Sequence, residues 1–398
     1  MSSVATVILG AFAPRMSLLH GSWNKNVSMS LNSSKIVGGI VLVGTHPWRN
    51  SAFDRLPPRP LIPIAHRPLI SYSLSWLREC GIQQVTVCAN RETQALERLL
   101  RRHVPDAMSV TYQEDVMPRG SAGAVRDAIA NSGAEIFVVT EGTAIPNVDL
   151  RRMLDAHVAS GAAATVAGYA VAGRDGNADL QVPSGIYVFS REALEGLPLR
   201  GFHDIKENLI PQLNRSGRRV MAYTANGAHP RVLGASSYLA ANEWVVEQIA
   251  HGATPEGYKK IGASLIHTEA VVAEDAVFVG PVLVAPGARI LSKAVLVGPS
   301  SIGREVTVGR GTLVSRSAIW RRSVLSENAV IDRCILADDT ILPPNAHMFR
   351  AVMATSAGAY DRTRSASEPA RDPLPMELLR RMGRLFGSGT WSRSPAAQ

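Results

Sequence analysis

The sequence predicts two folded parts in series: an α/β domain over residues 35–250 and a triangular coil of short strands over residues 260–348. A leader (1–34) and a basic tail (349–398) flank them. Three observations predict this. Short apolar runs alternate with amphipathic helical stretches up to about residue 249. Large apolar residues then recur every six positions from Ile266 to Trp320. After Met348 the pattern gives way to Ser, Ala, Pro and Arg. A chain of 398 residues with 46% hydrophobic and 19% charged side chains is too apolar for global disorder and too long for one small module.

In order, residues 40–43 read as a strand and 69–80 as a helix ended by Gly81. A strand at 85–88, a helix at 92–102, a strand at 108–112, a helix at 122–130, a strand at 136–140 and a helix at 149–159 follow. This alternation predicts a parallel sheet covered by helices on both faces. Ligands bind such sheets at the carboxyl ends of the strands, which directs attention to the loops after Val43, Tyr112 and Thr140.

The second part is anchored by Ile266, Val272, Phe278, Val284, Ile290, Leu296, Ile302, Val308, Val314 and Trp320. The spacing then runs five, six, five, six, six through Leu325, Ile331, Leu336, Leu342 and Met348. Small residues such as Ser264, Ala288, Ser300 and Ala318 stand two positions before many anchors. A period of six fits neither a helix nor an alternating strand. It fits a solenoid with a turn every six residues, and fifteen segments at three per coil make five coils.

Several segments carry a family likeness. Residues 58–70 (PRPLIPIAHRPLI) look like the PKPLxPVxxxPL(I) segment of sugar-1-phosphate nucleotidyltransferases, and residues 118–124 (PRGSAGA) like their GTAGA loop. Residues 185–190 (GIYVFS) and the following 204–213 (DIKENLIPQL) match in the same order. The six-residue repeat resembles the hexapeptide-repeat left-handed β-helix that stands behind many acyl- and nucleotidyltransferases. Together these features resemble the NDP-sugar pyrophosphorylase family, nearest its mannose-1-phosphate guanylyltransferase-like branch, over about residues 38–348. The resemblance implies a Rossmann-like, GT-A-like nucleotidyltransferase domain followed by a left-handed parallel β-helix. It also implies oligomer contacts and a nucleotide or sugar-nucleotide ligand. In that chemistry a sugar phosphate attacks the α-phosphate of an NTP and pyrophosphate leaves, with cations and Mg²⁺ absorbing charge.

Residue by residue, the resemblance places Arg49 and Arg59 as catalytic cations, and Gly44, Gly120, Ser121, Ala122 and Gly123 at the nucleotide. The departures are equally specific. Thr45-His46-Pro47-Trp48 replaces the glycine-rich turn, and proline removes an N–H that a phosphate would use. Arg59 replaces lysine, with a different donor geometry. The two magnesium aspartates correspond to Thr143 and Arg231, and no DxD pair lies nearby, so no metal residues are assigned. Glu141, two positions from Thr143, is the one substitute carboxylate. Pro183-Ser184-Gly185 stands in place of NAG, and the sugar-side EKP segment is absent. Two readings stand: a catalytically degenerate or regulatory protein of sugar-nucleotide and polysaccharide metabolism, favoured by these losses, and an active enzyme that would need Mg²⁺. A third, a β-helix transferase, ranks last because His267 and His347 sit at the ends of the coils.

Of the formal net charge of +9, residues 1–34 supply +2 (Arg15 and Lys25) and residues 349–398 supply +4 (eight Arg, four acids), leaving +3 on the folded region. That distribution, with no basic–aromatic interleaving, argues against nucleic acid. The tail holds an amphipathic segment with Leu378, Leu379, Met382, Leu385 and Phe386 opposite Arg380, Arg381 and Arg384. It suits a protein groove, an anionic membrane or the protein's own β-helix. Three cysteines without a CxxC pair, and no apolar run of about 20 residues, point to a reducing, cytoplasmic setting.

Overall fold

The computed structural model describes residues 36–44, 56–89, 96–98, 104–114, 119–171, 180–225 and 229–354. The leader, Arg49, most of the helix expected at 92–102 and the amphipathic tail segment lie outside the described residues.

The α/β part runs β1 (Val37–Leu42), a hairpin of β2 (Pro63–Ile64) and β3 (Arg67–Pro68), α1 (Leu69–Glu79), β4 (Gln84–Ala89), β5 (Ser109–Glu114), α2 (Gly120–Ala128), β6 (Ile136–Glu141), α3 (Leu150–Ser160), β7 (Ala164–Val171), β8 (Leu180–Ser190), α4 (Arg191–Glu195), α5 (Ile210–Arg215), β9 (Val220–Ala225) and α6 (Ala235–His251). Seven strands form one sheet in the order β5-β4-β1-β6-β8-β7-β9. The helices start and stop where local chemistry dictates. Asp149 caps α3 by accepting from the Arg152 N–H, and Gly161 in the left-handed region closes its other end.

The sheet corrects the all-parallel expectation. β5, β4, β1 and β6 are parallel, but β8 runs antiparallel to both β6 and β7. Alternation of strands and helices does not encode direction. Only eight residues separate β7 from β8, and a parallel pair needs a crossover of a dozen or more residues. Each sheet face buries its own core. Val41, Val138, Ile186 and Val188 meet α1 and α3 residues on one side. Ile40, Phe137, Tyr187 and Phe189 meet Ala122, Val125 and Leu209 on the other.

The coil is as the repeat requires: three sheets of parallel segments from successive turns, the first of them edged by the antiparallel strand Tyr258–Ile261. The first face stacks Ser264–His267, Val282–Val284, Ser300–Ile302, Ala318–Ile319, Ile335–Leu336 and Val352–Met353. Five turns are complete and a sixth begins, matching a left-handed β-helix that extends past residue 348. Its interior is the column of Val284, Ile302, Ile319 and Leu336 with its counterparts on the other faces.

Here the anchor expected at Trp320 is corrected. Ile302 pairs with Ile319, so Ile319 points inward, and Ser317 rather than Ala318 continues the small column below Ser300. The physical reason lies at one corner. Gly298-Pro299 links the second turn to the next face, whereas Arg316 alone, at φ 45°, does so one turn later. The corner loses a residue and the phase slips by one. Ala318 and Trp320 then face outward, packing with Tyr238, Ala241 and Val245 of α6.

That outward face joins the two parts. Asn242, 1% exposed, accepts from the Ala65 N–H of the β2–β3 hairpin (2.9 Å) and from the Ser301 hydroxyl (3.0 Å). The Trp320 indole donates to the Tyr238 hydroxyl at 2.8 Å. The PRPLIPIAHRPLI segment thus packs with α6 and the coil through Ile62, Ile64 and Leu69.

Candidate functional site at the carboxyl end of the sheet

β6 ends in Glu141, at the sheet edge where α/β folds place ligands. Gly142 follows because a β-carbon there would lie 2.6 Å from a Val43 methyl. The next residues pair with a distant segment. Val232 donates its N–H to the Thr143 carbonyl (2.8 Å), Ala144 and Arg231 form an antiparallel bridge, and Ile145 donates to the Pro230 carbonyl (3.0 Å). The two positions that the resemblance gives to magnesium aspartates, Thr143 and Arg231, are therefore neighbours in space.

Their chemistry is not that of a metal site. The Arg231 guanidinium is ion-paired with one Glu141 oxygen, and Lys206 Nζ lies 3.1 Å from the other. The side chains of Glu141, Arg231 and Lys206 are 23%, 27% and 45% exposed. Gly185, at φ +82°, makes room for the carboxylate, since a β-carbon would approach Glu141 Cδ to 2.8 Å. Among the described residues no cluster of three His, Cys, Asp or Glu side chains could hold a metal ion. A guanidinium, a hydroxyl and a carboxylate already carrying two cations do not fit Mg²⁺, which asks for oxygen ligands of negative charge.

Lys206 is delivered by Asp204. That carboxylate accepts from the Lys206 and Glu207 N–H groups (2.7 and 3.1 Å) and from the Ser121 hydroxyl (2.8 Å), which itself accepts from the Ile205 N–H (2.9 Å). Burial pushes the Asp204 carboxyl up, but these hydrogen bonds and the Lys206 charge outweigh it and hold the group below the usual carboxylate range.

The expected nucleotide-loop residues Gly120 to Gly123 meet this same segment. The Ala122 and Gly123 N–H groups both donate to the His203 carbonyl (2.9 and 3.2 Å), and His203 donates back to the Arg119 carbonyl (2.7 Å). Gly120 has φ +77°, and a β-carbon there would come within 2.5 Å of the His203 carbonyl oxygen. Tight packing thus occupies the α2 N-terminus, and Ser121 reaches the Glu141 cluster through Asp204 and Lys206. Gly44 lies just past β1, exposed. Arg59 opens the short turn before the hairpin, half-buried, and burial lowers its pKa. A separate cleft of about 260 Å³ lies on the β4–β5 side of the sheet, lined by Gln84, Thr86, Ser109, Thr111 and Gln113, away from all of these residues.

Sequence reasoning missed Lys206, Tyr187 and His229. The His229 ring stacks on Tyr169 (4.9 Å) and its Nε2 lies 2.8 Å from the Ser184 carbonyl. Burial drives its pKa down to about 4. The PSG triplet that replaces NAG was the available signal, because Ser184 is the residue His229 meets.

Residues 40–178 match the Nucleotidyl transferase family, and this region is a nucleotidyltransferase domain. Over up to 64% of its length the chain is similar to sugar-1-phosphate guanylyltransferases and a uridylyltransferase. It is 22% identical over 277 residues to a mannose-1-phosphate guanylyltransferase of Mycobacterium tuberculosis, covering 64% of this chain and 76% of that protein. It is 29% identical over 130 residues to a D-glycero-alpha-D-manno-heptose 1-phosphate guanylyltransferase of Aneurinibacillus thermoaerophilus, covering 32% of this chain and 55% of that one. A UTP–glucose-1-phosphate uridylyltransferase of Synechocystis is 24% identical over 291 residues, with 64% and 75% covered.

Proposed function

We propose that this chain is a catalytically degenerate or regulatory member of the sugar-1-phosphate nucleotidyltransferases, acting in sugar-nucleotide and polysaccharide metabolism in the cytoplasm. One observation carries the reading: Arg231, ion-paired with Glu141, stands where the resemblance requires a metal-binding aspartate. In-line attack on an α-phosphate concentrates charge that Mg²⁺ normally absorbs, and a fixed cation repels Mg²⁺ at that point. The sequence Thr45-His46-Pro47-Trp48, where the family has glycines, supports the same reading, because proline lacks the N–H that a phosphate would use. The free cysteines, with Cys88 and Cys334 buried, suit a reducing compartment. Among the described residues no helix is long and apolar enough to cross a membrane.

The test is pyrophosphate release from each NTP with mannose, glucose and heptose 1-phosphates in the presence of Mg²⁺. The expected result is no turnover above a chain-free control. Turnover within the ordinary enzyme range of about 1–1000 per second would overturn the proposal.

A further inference from the structure

We propose that the third face of the coil is a self-complementary docking surface for a second copy of this chain, the two coils packing face to face and running in opposite directions. The likeness to the family implies contacts between copies but assigns them no surface. The inference stands whether or not the α/β domain turns over a substrate.

The first ground is an uncovered apolar face. The third face stacks five strands in parallel register, from Val277–Val279 through the middle strand Leu313–Ser315 to His347–Phe349. The central residue of a strand points inward, as Leu296, Val314 and Ile331 do at 0% exposure. The residues on either side of it point outward, because successive side chains alternate across a strand. Of these ten outward positions, all but Ser315, Asp332 and His347 are apolar. Two stand well clear of the coil, Val279 at 42% and Phe349 at 49% exposure. The first face also turns apolar residues outward, but Tyr238, Ala241 and Val245 of α6 pack on it. Among the described residues no part of the α/β domain joins the outward side chains of the third face in an apolar cluster. A contiguous apolar row left open in this way marks an interaction surface.

The second ground is that the pattern fits itself. A twofold axis lying in the face along the middle strand sets the first strand opposite the fifth and the second opposite the fourth. Val279 of each copy then meets Phe349 of the other, so the two most exposed apolar side chains of the face cover each other twice. Val295 meets Val330, and Leu313 meets its own counterpart on the axis. At one edge, bulk falls opposite space. The corners after the fourth and fifth strands carry Arg333 and Arg350, and those after the second and first carry Gly298 and Gly280. Asp332 falls opposite Val297 at this edge, beside Arg333 of its own chain. At the other edge the exposed Lys293 of each copy comes opposite the exposed Glu327 of the other. Arg310 and Arg316 each meet their own counterpart at the axis, and Glu243 of α6, 3.9 Å from Arg316, offsets one of those contacts. Copies running the same way would instead set Phe349 against the polar His347 and Lys293 against no acid.

Size fixes the strength. Five strands at ~4.8 Å spacing and three residues at ~3.3 Å each make a strip of about 24 by 10 Å, with the corners as its rim. That is well below the ~800 Å² per partner of a standard interface, so the dimer should be weak, with a Kd roughly micromolar.

The experiment is sedimentation velocity on the full chain from about 1 to about 200 µM, where a micromolar Kd shows as a concentration-dependent monomer–dimer equilibrium. Leu313→Asp puts two carboxylates together on the axis and should weaken the dimer by about tenfold or more. Val279→Lys, at an exposed position, keeps the test valid if Leu313→Asp fails to fold, and should act in the same direction. Lys293→Glu should weaken the dimer, and adding Glu327→Lys to it should restore the affinity, as expected only of copies that run in opposite directions. Under mild oxidation Leu313→Cys should form a disulfide-linked dimer that the wild type does not. A chain that stays monomeric throughout overturns the inference and leaves the face to a different protein. A dimer that neither Leu313→Asp nor Val279→Lys weakens overturns it too, since association then uses another surface. A charge swap that fails to restore affinity overturns the opposed direction of the coils.

Discussion

A double-mutant cycle on Glu141 and Arg231 tests the central physical claim, that these residues form one unit separated by ninety positions in the chain. Two unit charges about 4 Å apart attract by ~4 kcal/mol at an effective dielectric near 20, before desolvation is subtracted. The side chains are 23% and 27% exposed, between a solvated surface pair worth ~0.2–1 kcal/mol and a buried pair whose disruption costs about 3–5 kcal/mol. Lys206 at 3.1 Å retains part of the attraction when Arg231 is removed. We therefore expect Arg231→Ala to cost about 2 kcal/mol. Glu141→Ala should cost somewhat more, because it leaves Arg231 and Lys206 facing each other. The coupling energy should be ~1–2 kcal/mol. Urea unfolding of the wild type, both single variants and the double variant measures it. A coupling below about 0.5 kcal/mol, the scatter expected of independent sites, would refute the claim that the pair occupies the metal position as a bonded unit.

The other expectations concern metal, the junction and pH. Arg231→Asp restores a carboxylate beside Glu141, so Mg²⁺ or Mn²⁺ should raise its melting temperature while leaving the wild type within about 1 °C; equal responses would contradict the charge argument. Asn242→Ala strands the buried Ala65 N–H and Ser301 hydroxyl and should cost about 2–4 kcal/mol in chemical denaturation, whereas a cost under ~1 kcal/mol would deny Asn242 its role as the pin between hairpin and coil. His66 and His229 are both depressed by burial to about 4, below the unfolded value near 6.5. The unfolded chain then binds more protons between those values, so stability should fall as pH drops from about 7 to about 4, by on the order of 1–3 kcal/mol per histidine. Replacing either histidine with Asn should flatten that slope, and an unchanged slope in both variants would show the rings are not buried neutral.

The coil was legible almost to the residue, because an interior of stacked side chains demands one large aliphatic per face and the period is written in the chain. It failed at Ala318 and Trp320. A two-residue Gly-Pro corner and a one-residue arginine corner read alike in hydropathy, while the latter shifts every later inward position by one. The α/β elements were legible too, yet the antiparallel course of β8 was not, since pairing direction depends on the connection and not on strand composition. At the site the sequence reading singled out Thr143 and Arg231 but not the ion pair that Arg231 makes with Glu141. Arg231 and Glu141 come together only because residues 230–232 pair with residues 143–145. Lys206 arrives through a third segment capped by Asp204.

That convergence bears on what kind of site this is. Simple loss of metal ligands would leave an uncompensated carboxylate at the end of β6, or a guanidinium with nothing to hold it. In this structure the Glu141 carboxylate faces the Arg231 guanidinium, and Gly185 leaves the space that the pair requires. Each of these features alone is destabilising at this depth, and together they are not, because a buried charge is tolerated only when it is paired and hydrogen-bonded. The site is therefore organised around a fixed internal cation. Under the proposed function, this fixed cation repels the Mg²⁺ that would absorb the charge developing on departing pyrophosphate.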